Sequence, residues 1–307
     1  MSAALRSSLA DYLQIRRALG YKLERDERHL KQFIEYLERH GEERPTTGLA
    51  LAWATSQGTD PGWWSSRHTA IRGFAAYLQT LDPSIEVPAR VLAAKVRRAT
   101  PFLYSDADLA AVLRATESLP SPLSVATYQT LIAVLAVTGM RVGEAIAANR
   151  DDLGLDTGVL VVRHAKFGKS RALPLHPTTV AALGDYLQRR DQLFPAPQSP
   201  ALFISLAGTR LIYNNVHLKF FRIVRRAGLG PRSATCRPRI HDLRHTFAVR
   251  TLLEWYAQGV EVQAKLPLLS TYMGHVQPQD TYWYLSAAPE LLALAGERLE
   301  RHLGGAA

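Results

Sequence analysis

The sequence predicts a mainly α protein with a small antiparallel β-sheet (α+β), in which an all-helical first part precedes a larger part that holds the strands. Three observations carry this expectation. Apolar residues recur at helical spacing along most of the chain. Two short extended runs, Gly158 to Val162 and Arg171 to Leu175, flank the turn-forming residues Phe167-Gly168-Lys169-Ser170. A length of 307 residues, 47% of them hydrophobic and 21% charged, suits two globular domains and neither a disordered chain nor a fibre.

In the first part, Leu9, Tyr12, Leu13 and Leu19 form one apolar stripe. Leu30, Phe33, Ile34 and Leu37 form a second, stopped by Gly41 and Pro45. Ile71, Phe74, Ala75 and Leu78 form a third. The stretch from Leu81 to Pro101 then carries three prolines and the basic cluster Arg90, Lys95, Arg97 and Arg98. We therefore expect a helical domain over 1–82, a basic linker with its own short helix over 83–101, and a second domain over 102–307. Ser105, with Asp108 three residues on, reads as a helix start, followed by Leu109, Val112 and Leu113 on one face. Leu123 to Val137 reads as a buried helix ended by Gly139. After the hairpin, helices are expected near Thr178 to Arg190, Asn214 to Ala227, His241 to Gln258, Gln263 to Met273 and Pro289 to Leu303.

No apolar run approaches the roughly 18 residues of a membrane span, and the N-terminus lacks a basic-then-apolar signal. A single cysteine, Cys236, excludes an intramolecular disulfide framework and a multi-cysteine zinc site. These features predict a cytoplasmic protein without membrane contact. The formal net charge is +10, and between Lys219 and Arg250 nine basic residues face one acid, Asp242. A solvated helix face mixes signs, so this surplus points to a polyanion partner.

Four polar clusters stand out. Thr138-Gly139-Met140-Arg141-Val142-Gly143-Glu144 sets an arginine between glycines, which can aim it back across the domain or leave it paired with Glu144. In His241-Asp242-Leu243-Arg244-His245, residues 241, 244 and 245 share a helical face. A zinc-binding reading of His241 and His245 competes there, but Arg244 would put a fixed positive charge on the metal face. His245 alone reads as packed or capping. Met273-Gly274-His275 closes an apolar helix, and Thr281-Tyr282-Trp283-Tyr284-Leu285 follows, with Tyr284 nine residues after His275.

Together these clusters resemble the tyrosine site-specific recombinase (phage integrase) family, whose pattern is Thr-Gly-x-Arg-x-x-Glu, His-x-x-Arg, Gly-His, and Tyr nine residues later. Arg141 with Glu144, His241 with Arg244, Gly274 with His275, and Tyr284 match in order and spacing. Met140 and Met273 stand where leucine is common in the family. The family also uses a lysine on the β-hairpin, for which Lys166 fits best and Lys169 is the alternative. The resemblance covers about Ser105 to Leu303, and the first 80 or so residues match in style the helical core-binding domain of such enzymes. It implies a catalytic domain that clamps double-stranded DNA with the core-binding domain. It also implies homotetramers on paired sites, a dimer per site, possible accessory or sister proteins, and work on a bacterial nucleoid. The last helix would dock on a neighbouring subunit or pack in its own.

The chemistry agrees with the resemblance. Attack on a phosphodiester builds charge on non-bridging oxygens, which two arginine forks can neutralise bidentately. Arg141 and Arg244 are the candidates, His275 adds a hydrogen bond, and Glu144 supports the site. Tyr284 would attack to give a 3′-phosphotyrosine, with His241 as its base and Lys166 protonating the 5′-oxygen. No cofactor, metal or ATP is expected, since the phosphotyrosine keeps the bond energy. A type IB topoisomerase-like enzyme shares this chemistry, and a non-catalytic DNA-binding protein of the same fold is the alternative from another class.

Overall fold

In a computed structural model, residues 2–92, 99–163, 170–275 and 281–284 are described, and they fall into two compact units, Met1–Arg98 and Ala99–Ala307. The first unit holds α1 (Ser2–Ala18), α2 (Glu24–Arg39), α3 (Thr47–Thr55) and α4 (Pro61–Leu81). Local chemistry sets several of the ends. Thr46 caps α3 by accepting the Leu49 N–H at 3.3 Å, and Asp60 caps α4 by accepting the Gly62 N–H at 2.8 Å, with Pro61 in the first turn. The apolar stripes point inward: Leu30, Phe33, Ile34, Leu37, Ile71, Phe74, Ala75 and Leu78 are all buried. Burying one such large side chain contributes about 1.5–3 kcal/mol relative to leaving it in water. Leu19 departs from its expected stripe; it lies past the end of α1 and is 68% exposed. Beyond α4 the chain returns onto this unit, with Ile85 buried in its core and the Ile85 carbonyl accepting from Gln79.

The second unit is built round α6 (Pro122–Thr138), which is apolar on nearly every side and packs against α8 (Pro177–Leu193) and α10 (Asp242–Ala257). A helix apolar all round belongs at the centre of a domain. α5 (Asp106–Ala115) starts with the expected reciprocal cap between Ser105 and Asp108. The remaining helices are the short α7 (Val142–Ala147), α9 (Tyr213–Arg226) and α11 (Val262–Met273). The sheet runs β1 (Leu153–Gly154), β2 (Val159–Val162) and β3 (Arg171–Pro174), antiparallel and in that spatial order, with Leu160 opposite Leu173 and Val162 opposite Arg171. Leu160, Val162 and Leu173 face the core. The architecture is thus mainly α with a small antiparallel sheet, as the sequence predicts. The expected hairpin turn, linker helix and last helix lie outside the described residues. Among the described residues, no helix is long and apolar enough to cross a membrane.

Candidate active site

The site begins where α6 stops. Gly139 takes a left-handed conformation, φ 60°, and turns the chain sharply into α7. Arg141 sits at the start of α7, and Glu144, one turn in, accepts its backbone N–H at 2.9 Å. The Arg141 side chain donates Nη1–H to Glu144 Oε1 at 2.9 Å and Nη2–H to the Gly274 carbonyl at 3.1 Å, and it remains 30% exposed. Both alternatives read for Arg141 are therefore realised: it pairs with Glu144 and also crosses the domain.

Arg244 rises from the first turn of α10 and is 2% exposed. Its fork joins two helix ends, Nη1 donating to the Gly139 carbonyl at 2.6 Å and Nη2 to the Met273 carbonyl at 2.7 Å. Burial pulls Arg244 down to about 10, opposed by the nearby Tyr284 and Glu144, while Arg141 adds to the pull. It stays a cation at neutral pH.

α11 ends in a Schellman motif. Gly274 is left-handed with φ 69°, its N–H meets the Thr271 carbonyl at 3.0 Å, and the His275 N–H meets the Ser270 carbonyl at 2.9 Å. Among the described residues the next three carbonyls receive no helical N–H, and each receives a guanidinium instead. Tyr272 accepts from Arg171 Nε at 2.8 Å, Met273 from Arg244, and Gly274 from Arg141. A helix C-terminus carries partial negative charge, so one helix end and the Glu144 carboxylate gather three cations. Arg171 also reaches both oxygens of Glu144, at 3.1 and 2.8 Å. Burial alone would push the Glu144 carboxyl up; the Arg171 hydrogen bonds, the Arg141 N–H and both cations outweigh it and hold the group at about 2.

His275 Nδ1 lies 2.7 Å from the hydroxyl of Thr281, which is buried and begins the helical turn 281–284. Its ring stacks near the Tyr284 ring, with centroids 5.8 Å apart and an interplanar angle of 23°. Tyr284 is 3% exposed and packs among Ala248, Val249, Leu252 and Met273. His241, at the N-terminal end of α10, meets His245 edge-on at 4.8 Å, and His245 in turn lies 5.4 Å from the Tyr284 ring and 5.0 Å from Trp283. His245 and His275 are thus both in ring contact with the tyrosine, and His241 reaches it through His245. Its Nδ1 is buried without a hydrogen-bond partner among the described residues. Desolvation first, then His241 and the cations Arg239 and Arg244, push His245 down to about 3. Desolvation, Arg244, Arg141 and Arg239 also lower His241.

Of the residues expected from sequence, Arg141, Arg244, His275 and Tyr284 converge, and His241 joins them through His245. Lys166 and the alternative Lys169 lie outside the described residues. Arg171 is the participant that the motif reading missed. A signal for it exists: strand alternation puts residue 171 on the same, inward face as Leu173. Among the described residues no group of three His, Cys, Asp or Glu side chains is placed to hold a metal ion.

Comparison with known proteins bears on the family. The profile of the Phage integrase family matches residues 105–290. The chain is 40% identical to y4rB of Sinorhizobium fredii, provisionally named an integrase/recombinase, over 97% of this chain and 98% of that one. It is 26% identical to the tyrosine recombinase XerA of Pyrococcus furiosus, over 90% and 96% of the two chains. Among solved structures, the XerH site-specific recombinase in a post-cleavage complex with its difH substrate matches with a TM-score of 0.66 at 19% identity, over 99% of this chain and 84% of that one. The Tn1549 transposon integrase bound to transposon right-end DNA matches with a TM-score of 0.65 at 16% identity, over 96% and 98%. A family profile spanning more than half the chain and a relative alike from end to end lead to one conclusion: this chain belongs to the phage integrase family, the tyrosine recombinases, enzymes that cut and rejoin DNA.

Proposed function

We propose that the protein is a site-specific DNA recombinase in which Tyr284 attacks the scissile phosphodiester, forming a 3′-phosphotyrosine and releasing a 5′-hydroxyl. Arg141 and Arg244 neutralise the non-bridging oxygens, and His275 donates a further hydrogen bond to them. His241 takes the phenolic proton, and Lys166 supplies the proton that the departing 5′-oxygen needs. The hydroxyl of an incoming strand then attacks the phosphotyrosine and frees Tyr284, so the chemistry needs no metal and no ATP. The observation that carries this reading is the network through Arg244. One buried guanidinium near Tyr284 binds the Gly139 and Met273 carbonyls, so the second motif cluster is tied to the first and third beside the tyrosine.

Residues 1–82 serve as the core-binding half of a clamp on duplex DNA, 83–101 as a basic linker along the phosphates, and 102–307 as the catalytic half. Two protomers occupy each site and four assemble over a pair of sites in the cytoplasm. Solved structures of lambda integrase as a dimer on a core site and as a tetramer on a Holliday junction support that stoichiometry.

Tyr284→Phe tests the assignment. The variant keeps its affinity for duplex DNA and forms no covalent adduct on a nicked suicide substrate. An adduct that persists transfers the nucleophile elsewhere, with the 53% exposed Tyr282 first in line.

A further inference from the structure

Glu144 has two claimants. Arg171 takes the fork-to-fork seat, with Nη1 3.1 Å from Oε1 and Nη2 2.8 Å from Oε2, while Arg141 makes one side-chain contact, from Nη1 to Oε1. The third donor of Arg171, Nε, holds the Tyr272 carbonyl at 2.8 Å. Its guanidinium lies directly against Gly274, where an added Cβ would come within 2.6 Å of Nη1. The Arg171 side chain is 12% exposed against 30% for Arg141, so it faces the protein more than the solvent. Both of Arg141's partners, Glu144 and the Gly274 carbonyl, are therefore themselves set by Arg171.

The consequence is a competition. A lone Glu144–Arg141 pair would close into the bidentate geometry that carboxylates and guanidinia prefer, turning the Arg141 fork onto the protein. With both carboxylate oxygens already held by Arg171, the Arg141 guanidinium makes a single bond to Glu144, beside the one from its backbone N–H, is anchored at Gly274, and stays partly exposed. We propose that Arg171 is the positioning residue for Arg141: by occupying Glu144 bidentately and bracing the Gly274 turn, it keeps the Arg141 fork presented to a DNA phosphate. The proposal rests on the role assigned above to Arg141. Arg171 itself touches no substrate.

The test compares Arg171→Ala, Arg171→Lys and Arg141→Ala in single-turnover cleavage of a nicked duplex carrying the cleavage site mapped on DNA flanking the native gene. The scissile position is either an ordinary phosphate or a methylphosphonate. A methylphosphonate lacks one charged oxygen, so an arginine needed to neutralise that charge becomes dispensable. On phosphate, Arg171→Ala slows cleavage about 10–100-fold, the scale of losing an outer partner of a reacting group at metal sites. Arg171→Lys is slowed as well, because a point charge cannot fill the fork. On methylphosphonate, Arg171→Ala and Arg141→Ala both return close to the parent rate, and combining them adds no further defect on either substrate.

A defect of Arg171→Ala that persists on methylphosphonate while Arg141→Ala recovers means that Arg171 only supports the fold, and overturns the proposal. Full activity of Arg171→Ala on phosphate also overturns it. An Arg141→Ala variant that cleaves phosphate normally, or fails to recover, overturns the assignment of Arg141 first and takes this proposal with it. Should Arg171→Ala not fold, as judged by its thermal transition, Arg171→Lys on the same two substrates decides.

Discussion

Gly139 and Gly274 adopt the same left-handed conformation, yet what surrounds them differs. A Cβ at Gly139 would lie 2.4 Å from Cδ1 of the half-buried Phe247 ring, which stacks on Tyr272. A Cβ at Gly274 would lie 2.6 Å from Nη1 of Arg171, the far end of a flexible side chain. Either alanine carries about 1–2 kcal/mol for a left-handed L-residue. The Gly139 variant must also displace a ring, whereas the Gly274 variant displaces a guanidinium. Gly139→Ala is expected to lower the thermal midpoint more than Gly274→Ala. Gly274→Ala is expected to lose more cleavage for each degree of midpoint lost, because it dislodges Arg171 from Glu144. Thermal melts paired with single-turnover cleavage check this; equal ratios for the two variants would reject it. His245 belongs to the same scale. Its sequence context reads as packing or capping, and packing it is, but against the ring of Tyr284.

The ends of α6 and α11 matter more to the site than their lengths. Each stops at a left-handed glycine, and each exposes a carbonyl to Arg244. A guanidinium spans the two acceptors; an ammonium cannot meet both. Arg244→Lys therefore leaves a buried carbonyl unpaired, which costs about 1–3 kcal/mol. It is expected to reduce cleavage by far more than that stability loss explains, while DNA affinity changes little. Near-normal single-turnover rates for Arg244→Lys would refute the fork argument. Element length also decides what was legible in the sequence. Long apolar stripes reveal α2, α4 and α6, because burial repeats with the helical period. The motif order identifies Arg141, Arg244, His275 and Tyr284, because those positions carry distinctive side chains. Short elements such as α7 and the two-residue β1 hold too few residues to set a period. The three carbonyls of 272–274 are invisible to sequence, because a backbone acceptor has no residue type. Arg171 escaped for a related reason: its role depends on partners in other elements.

Over the whole chain, formal charge and effective charge differ. Of the basic residues between 219 and 250, Arg244 is buried, while Arg232 pairs with Asp108, Arg239 with Asp242 and Arg250 with Asp106. The basic stretch is thus partly internal architecture, and the exposed Arg222, Arg225, Arg226 and Arg237 make no ion pair among the described residues. Histidines shape the response to pH in both units. In the first, His29 and His68 are 2% and 1% exposed. Desolvation lowers both; Arg67, Arg25 and Arg28 lower His29 further against Asp26, and Arg72 lowers His68. Arg67 is itself buried over the Trp53 ring at 4.7 Å, so a protonated His29 would place a second cation beside it. In the second unit, His245 is held at about 3. A histidine depressed in the folded state is neutral in both states above the ordinary value near 6.5, where its contribution to stability is complete. As pH falls below that, the unfolded chain binds protons that the folded one refuses, and stability is lost until the folded group titrates too. Glu144, held at about 2, loses its stabilising contribution only as pH falls below the ordinary value of 4.5, so above that point the fall belongs to the histidines. The thermal midpoint is therefore expected to be flat from pH 8 to about 6.5 and to fall steadily towards pH 4. His29→Gln, whose amide does not titrate there, should flatten part of that fall. A His29→Gln curve parallel to the parent's would remove His29 from the account, and a midpoint that rises on acidification would remove the histidines altogether.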